Sequence, residues 1–98
     1  MENNKREEII ALYDIYSNLL TEKQRNYFED YYYSDLSISE IAENYSISRN
    51  GVFDQLKRVC NILEDYEAKM KLKLKYDKIE NLDLKEEIKE EVFNILKE

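Results

Sequence analysis

The sequence predicts an all-α fold, and three observations lead to this class. The 98 residues include one glycine and no proline, so the residues that build hairpin turns between strands are nearly missing. Apolar residues recur at helical spacing, and short polar residues stand where helices would begin. Hydrophobic residues make up 43% of the chain, which at this length predicts one domain with one core.

The first predicted helix spans about Lys5 to Leu20, and the second begins at Thr21. The apolar stripe of the first follows the i, i+4, i+7 and i+11 positions and is widened by its neighbours: Ile9, Tyr13, Tyr16 and Leu20, with Ile10, Leu12 and Leu19. Thr21 and Gln24 have the spacing of a capping box, in which each side chain bonds the other residue's backbone N–H. The predicted buried side of the second helix is aromatic: Tyr27, Phe28, Tyr31 and Tyr32.

Residues 37–58, "SISEIAENYSISRNGVFDQLKR", predict two helices joined by a tight turn. Ser37 and Glu40 form a second capping box, and Ser48 is placed to cap the following helix. The residues expected to pack inside the corner are Ile41, Ala42, Ile47 and Val52, with Ile47 pointing inward.

The fourth predicted helix is long and carries a heptad seam spaced 4, 3, 4, 3, 4: Val52, Leu56, Val59, Leu63, Tyr66 and Met70. A small domain covers only two or three turns of such a helix, so the C-terminal helix or a second subunit must cover the rest. The following "KLKLKYDK" alternates as a strand would, but the chain offers no partner strand, and we interpret it as the end of the helix.

A break at "NLDLKEE", with Asn81 or Asp83 as the cap, precedes a last helix from about Leu84 to Lys97. Its apolar face is predicted to hold Leu84, Ile88, Val92, Ile95 and Leu96. We divide the chain into a helix-turn-helix domain at residues 1–78 and a C-terminal amphipathic helix at residues 79–98, used for dimerisation or folded back on the domain. The possible dimer seam consists of Leu63, Tyr66, Met70, Ile88, Val92 and Ile95.

Several function classes are disfavoured by composition. The chain has no histidine and one cysteine, Cys60, which excludes a histidine-based catalytic triad and an internal disulfide and disfavours a structural zinc site. Adjacent acidic pairs point in different directions on a helix, and no glycine-rich phosphate loop is present. No apolar run reaches membrane-spanning length, and the N-terminus is polar. We therefore expect a cytoplasmic protein that is not an enzyme, binds no metal or cofactor and does not insert into membranes.

The charge of −7 is unevenly distributed along the chain. Residues 1–48 carry 4 basic and 10 acidic groups, residues 49–78 carry 8 and 5, and residues 79–98 carry 3 and 7. The basic part therefore begins at the second helix of the corner, where an Arg, Asn or Gln can read base edges and a capped N-terminus can bind phosphate. The candidate nucleic-acid-binding residues are Ser48, Arg49, Asn50, Gln55, Lys57 and Arg58. A capped corner of this kind can also serve only as packing.

Two further features have functional and structural interpretations. The lysine run at positions 69, 71, 73, 75 and 78 could contact phosphate, or the acidic last helix could fold back and neutralise it. The tyrosines and phenylalanines could stack on unpaired bases, but most stand at core spacing, and Tyr33 is the best exposed candidate. Cys60, beside the seam, is most simply a buried small apolar residue.

A family resemblance supports the prediction that residues 37–58 form a helix-turn-helix. "LTEKQRNYFEDYYYSDLSISEIAENYSISRNGVFDQLKR" resembles the fourth region of bacterial sigma factors, which reads a promoter element. The matching residues are Leu20, Thr21, Gln24, Arg25, Leu36, Ser37, Glu40, Ile41, Ala42, Ile47, Ser48, Arg49 and Val52. Over roughly the whole chain, "SRNGVFDQLKR" followed by "LEDYEAKMKL" is similar to the YlxM family of small helix-turn-helix proteins. Ser46 stands where the turn of the sigma pattern usually has glycine, and a non-glycine residue at positive φ is disfavoured. Gly51, Phe53 and Asp54 also depart from the sigma pattern, which places more basic residues on this face.

Membership would imply a small cytoplasmic regulator without enzymatic activity, linked to the signal recognition particle pathway. Two function hypotheses follow. The first is a dimeric regulator that binds DNA or RNA through the second helix of the corner. The second is a protein-interaction adaptor or accessory of the particle's GTPase, which uses the corner as a scaffold and does not read DNA.

Overall fold

The computed structural model describes residues 3–98, which form six α-helices and one 3-10 turn and contain no strand. The predicted all-α fold class is therefore confirmed. The elements in chain order are α1 (Asn3–Tyr16), the 3-10 turn (Ser17–Leu19), α2 (Glu22–Tyr32), α3 (Ile38–Tyr45), α4 (Arg49–Met70), α5 (Leu72–Glu80) and α6 (Glu86–Lys97).

Both predicted capping boxes are confirmed. The backbone N–H of Gln24 donates to Thr21 Oγ1 at 3.1 Å, and the backbone N–H of Thr21 donates to Gln24 Oε1 at 2.9 Å. The reciprocal pair at Ser37 and Glu40 has both bonds at 3.0 Å. Each box satisfies backbone N–H groups that have no partner within the first helical turn, which fixes where α2 and α3 begin.

Helix α1 ends one turn earlier than predicted. It stops at Tyr16, and the tighter 3-10 turn follows before the extended residue Leu20. Leu20 stays in the core at 4% exposure, whereas Leu19 is 53% exposed, so the expectation that Leu19 widens the apolar stripe is wrong. A 3-10 turn has 3.0 residues per turn instead of 3.6, which rotates its last residues relative to the stripe of the preceding helix.

Helix α4 is the central element, because the two halves of its apolar seam pack against different helices. The N-terminal half contributes Val52 and Leu56 to a cluster with Tyr27, Ile41 and Ala42 of α2 and α3. The C-terminal half contributes Val59 and Leu63 to a cluster with α1 and α2: Ile9, Leu12, Tyr13, Tyr16, Leu20, Phe28 and Tyr32. The chain itself thus covers four of the six seam positions, and Tyr66 and Met70 are partly covered.

The aromatic residues of α1 and α2 form a stack inside the core. The rings of Tyr13 and Phe28 are parallel with centroids 4.1 Å apart, and Tyr32 stacks on Phe28 at 4.3 Å. Tyr33 lies at the edge of this stack, is 46% exposed as expected, and donates its hydroxyl to Asp14 at 3.2 Å. Most of the aromatic excess therefore serves packing, as the core spacing indicated.

The "KLKLKYDK" segment is not the end of the long helix, and that interpretation is wrong. Helix α4 ends at Met70 because Lys71 adopts the left-handed conformation, with φ of 55°. The Glu67 carboxylate accepts from the backbone N–H groups of Lys73 at 3.0 Å and Leu74 at 3.2 Å, so it caps a new helix, α5. The predicted domain boundary at residue 78 falls within α5.

Helix α6 begins at Glu86 rather than near Leu84, and neither predicted cap starts it. Asn81 follows the last residue of α5, and the residue that precedes α6 is Lys85, which makes no side-chain capping bond. The side turned toward α5 carries Lys89 and Phe93. Lys89 is 8% exposed and donates to the carbonyl of Glu80 at 2.7 Å, and the Phe93 ring packs edge-on against Tyr76.

The predicted apolar face of α6 is largely exposed. Because the Lys89 ammonium caps the end of α5, the helix is rotated and its Ile side chains lie away from the contact with α5. Only Val92 is half-buried. The other members of the predicted face are 40–65% exposed: Leu84, Ile88, Ile95 and Leu96.

Candidate nucleic-acid interface

The corner between α3 and α4 is built on a small, dense packing contact and a left-handed turn. Ile41 and Val52 are fully buried where the helices cross, and Ala42 at 6% exposure leaves room for the close approach. Ser46 adopts φ of 57° and ψ of 42°, the positive φ expected at this position. The backbone N–H of Ile47 then donates to the carbonyl of Ala42 at 3.0 Å, which closes the turn.

Tyr45 attaches the end of α3 to α2. Its hydroxyl donates to Asp30 Oδ2 at 2.9 Å, and its ring lies 4.7 Å from that of Tyr27. Burial, together with the Asp30 carboxylate, raises the pKa of Tyr45 to about 12. The corner is therefore held at a fixed angle from both sides, as a recognition helix requires.

The N-terminus of α4 explains the single glycine of the chain. Ser48 Oγ accepts from the backbone N–H of Gly51 at 2.9 Å, which confirms the predicted cap. A Cβ atom on Gly51 would lie 3.2 Å from that oxygen and 3.6 Å from Cδ1 of Ile47, so glycine lets the cap and Ile47 close over the first turn. Ile47 itself is 36% exposed, and the expectation that it points inward is wrong, because it packs over this turn instead of entering the core.

The outward face of α4 carries four exposed polar residues at i, i+4, i+7 and i+11: Asn50, Asp54, Lys57 and Asn61. This polar stripe lies opposite the buried seam, because each of its residues stands two positions before a seam residue, about 200° around the helix. Asn61 was not among the residues predicted for the site. It could have been found from the seam, because it stands two positions before Leu63 and therefore faces the opposite side of the helix. The stripe presents amide and charged groups of the kind that read base edges.

Three of the remaining candidate residues lie beside the polar stripe, and the fourth, Gln55, does not. Arg49 and Arg58 are exposed on either side of it, and Ser48 is exposed at the cap. Gln55 is half-buried and lies toward the core side of α4, away from the stripe. None of the ion pairs among residues 3–98 involves Arg49, Lys57 or Arg58, even though Asp54 lies on the same helix. Their positive charge is therefore available to an anionic partner.

Two grooves lie beside this face and meet at Phe53 and Ile38. The first, of about 550 Å³, is lined by those two residues with Ser48, Arg49 and Asn50. The second, of about 300 Å³ and mainly apolar, is lined by Tyr31, Tyr32, Ile38, Phe53, Leu56, Lys57 and Cys60.

Phe53 is 55% exposed, so this departure from the sigma pattern presents an apolar ring on a polar face. Cys60 is half-buried, with its Sγ 3.6 Å from the Tyr32 hydroxyl, and burial raises the pKa of its thiol.

Two of the five lysines in the run are paired with carboxylates, but not with those of α6 as expected. Lys69 pairs with Asp65 at 2.9 Å and Lys73 pairs with Asp77 at 2.8 Å, each one turn away on its own helix. These carboxylates raise the pKa of both lysines. Within residues 3–98 no lysine of the run forms an ion pair with α6, so the idea that α6 neutralises the run is wrong.

The residues predicted for a dimer seam do not share one surface. Leu63 is fully buried in the chain's own core, where it contacts α1 and α2, so it is unavailable to a partner. Tyr66 and Met70 are half-buried, and Tyr66 packs against Tyr16 with centroids 5.8 Å apart. Ile88 and Ile95, at 43% and 65% exposure, are the seam residues most open to a partner.

Residues 3–98 contain no group of three or more His, Cys, Asp or Glu side chains that could hold a metal ion. Within the same range, no helix is long and apolar enough to cross a membrane.

The capped α3–turn–α4 corner, with an exposed polar face on its second helix, defines a helix-turn-helix protein. Comparison with known families agrees. The pattern of the family UPF0122, described as "Putative helix-turn-helix protein, YlxM / p13 like", matches residues 3–97. The chain belongs to this family, as the sequence resemblance indicated.

Individual relatives extend the comparison across several bacteria. A UPF0122 protein of Streptococcus gordonii is 48% identical over 90 residues, which cover 92% of this chain and 80% of the relative. The corresponding protein of Staphylococcus haemolyticus is 52% identical over 69 residues, 70% of this chain and 60% of the relative. In Limosilactobacillus reuteri the identity is 51% over 72 residues, 74% and 64% of the two chains. The matched segments thus span between 60% and 80% of these relatives.

Proposed function

We propose that this protein is a non-enzymatic regulator that binds duplex DNA with the N-terminal half of α4 in the major groove. The observation that carries the proposal is the polar stripe of α4, whose Lys57 and neighbouring Arg49 and Arg58 form no ion pair within residues 3–98. Asn50 and Asn61 supply amides for base edges, and Arg49, Lys57 and Arg58 supply charge for guanine or phosphate. The rigid corner beneath them holds this face outward.

Asp54, the acidic residue of the polar stripe, limits which groups of a DNA duplex the stripe can contact. Asp54 lies between Asn50 and Lys57 on the outward face, where a carboxylate repels phosphate but accepts a hydrogen bond from the amino group of cytosine. Helix α3 carries two exposed carboxylates, Glu40 and Glu43, and no basic residue. Most of the electrostatic attraction must therefore come from α4 alone, and we expect modest affinity that salt weakens.

The test follows binding of a fluorescent duplex of random sequence by anisotropy while the salt concentration rises. Three cations that neutralise three phosphates give a log–log slope of about −2.7, which is about a 40-fold loss of affinity between about 50 and 200 mM salt. The variant Arg58→Gln should reduce the slope by about 0.9. The matched control is Lys75→Gln, because it changes the net charge equally but lies on α5, beyond the far end of α4.

Two results would contradict the proposal. The first is absence of duplex binding at the lowest salt, where the attraction is strongest. The second is an equal change of slope in Arg58→Gln and Lys75→Gln, because the protein would then respond to its total charge and not to the face of α4.

A second candidate function is the protein-interaction adaptor, and the exposed apolar residues of α6 favour it. Ile88 and Ile95 form an i, i+7 stripe open to solvent, with the exposed Glu87 and Glu91 along one side. Such a stripe suits a protein partner better than a nucleic acid. The expected link to the signal recognition particle rests on the family resemblance alone, and pull-down of the particle's GTPase in the presence of nuclease would test it.

We also propose that a second copy of the chain covers this α6 stripe. Helix-turn-helix proteins commonly bind two half-sites as dimers, and the stripe lies beyond the end of α4 that is far from the proposed DNA face. DNA binding and dimerisation are compatible in that arrangement, because pairing through α6 would leave both α4 faces free.

A further inference from the structure

The side chain of Phe53 is the one large apolar group on the proposed DNA face. Its ring is 55% exposed, although helix positions at this angle beside a buried seam usually carry polar residues. It lies between the polar groove at the start of α4 and the apolar groove that runs toward Tyr32 and Cys60. One wall of each groove would be missing without it. Phe53 is thus part of the surface that a ligand of α4 would contact.

We propose that Phe53 is a specificity-determining residue that contacts the 5-methyl group of thymine, an inference that rests on the proposed binding of duplex DNA. The thymine methyl is the apolar group on the base edges of the major groove, and an aromatic side chain is one of its usual contacts. The polar residues of the stripe cannot make this contact favourably. Phe53 therefore adds an element of recognition that amide and cationic side chains lack.

The position of Phe53 beside Asn50 strengthens the assignment. The two residues are one helical turn apart on neighbouring strips of α4, with Cβ atoms about 5–6 Å apart, and both line the first groove. Successive bases on a strand are about 3.4 Å apart, so the two side chains can contact neighbouring base pairs. An amide that pairs with adenine next to a ring on a thymine methyl describes a preference for an A·T-rich step.

Phe53 also lines the apolar groove beside α4, so its ring continues an apolar surface. Leu56, Ile38 and Lys57 line this groove with it. A methyl group that meets the outer face of Phe53 is removed from water on one side by the ring and on the other by the base pair. Burial of one such group contributes about 0.8 kcal/mol, which corresponds to about a fourfold change in affinity.

The experiment has two stages and uses the full chain. First, duplexes are selected from a random pool at low salt by the wild type, by Phe53→Ala and by Phe53→Leu. The matched control is Leu19→Ala, another exposed apolar residue at 53%, located in the 3-10 turn. We expect one position with a T·A preference in the wild-type, Leu19→Ala and Phe53→Leu pools, and loss of that preference with Phe53→Ala.

In the second stage the selected duplex is made with deoxyuridine in place of thymidine at that position. The wild type should bind it about fourfold more weakly, whereas Phe53→Ala should bind both duplexes equally. Equal losses in the two proteins, or selected duplexes without a T·A position, would overturn the role of Phe53 and leave duplex binding intact. Failure of every protein to bind any duplex would overturn this inference together with the proposed function.

Discussion

The junction between α4 and α5 depends on one buried hydroxyl group, that of Tyr16. This residue is 1% exposed, and its O–H donates to Glu67 Oε1 at 2.6 Å while its oxygen accepts from the backbone N–H of Leu72 at 3.1 Å. Replacing Tyr16 with phenylalanine keeps the ring but leaves that N–H without its partner and the Glu67 carboxylate with one donor fewer. A hydrogen bond to a charged group contributes about 1.5–3 kcal/mol, so we expect a loss of about 2 kcal/mol.

For a domain of this size, about 2 kcal/mol corresponds to a decrease of about 8–16 °C in melting temperature, measured by circular dichroism. The matched control is Tyr27→Phe. The ring of Tyr27 is equally buried at 1% exposure, but its hydroxyl makes no hydrogen bond to the part of the chain that the structure describes. We expect Tyr27→Phe to change the melting temperature by less than about 3 °C. Equal decreases in both variants, or no decrease with Tyr16→Phe, would refute the role assigned to this hydroxyl.

Three further predictions concern pH, the turn and self-association. Burial is the main cause that raises the pKa of Tyr16, Tyr33 and Tyr45 to about 12, from an ordinary value of 10.0, so the stability they provide is complete below pH 10 and is lost as pH rises toward 12. Melting temperatures that stay constant over this range would contradict the assignment. Ser46→Gly should raise the free energy of unfolding in urea by about 0.5–1 kcal/mol, because Ser46 has φ of 57° and glycine adopts a positive φ without strain. A lower free energy of unfolding would show that the contacts of the serine side chain outweigh this strain. Ile95→Asp should convert a dimer to a monomer in sedimentation at tens of micromolar, and a wild-type monomer at that concentration would exclude the proposed pairing.

The first three helices and the corner could be predicted because their signals are local. A capping box needs only two residues three positions apart, and both boxes formed as predicted at Thr21 and Ser37. The seam of α4 is also a local periodicity, and its first four positions are all buried. The fold class follows from these signals together with the scarcity of turn residues.

The second half of the chain was harder to predict because distant residues decide it. The break at Lys71 is stabilised by Tyr16, which lies 56 positions before Leu72 in the sequence, and periodicity carries no information about such a contact. The rotation of α6 depends on Lys89, which an amphipathic pattern assigns to solvent but which caps α5 with its ammonium group. A single polar contact of this kind overrides an apolar stripe when the helix is short and covered on one side only.

The candidate site falls between these two cases. The sequence correctly indicated the exposed residues Arg49, Asn50, Lys57 and Arg58, because they stand opposite the seam or beside its start. The sequence also assigned Gln55 to the site, but that residue is half-buried and turns toward the core side of α4. It could not show that Phe53 lines two grooves.

The acidic character of the whole chain does not decide whether α4 can bind DNA. Charges further apart than about 8 Å are largely screened at physiological ionic strength, and a helix of 22 residues is about 33 Å long. The glutamates of α6 follow the far end of α4 in the chain, so they contribute little to the potential at Arg49. On the outward face of the N-terminal half of α4, Arg49, Lys57 and Arg58 stand against Asp54, which gives a local net charge of +2. Removing the one opposing charge with Asp54→Asn should therefore strengthen duplex binding more than removing any single glutamate of α6, although both changes alter the net charge equally.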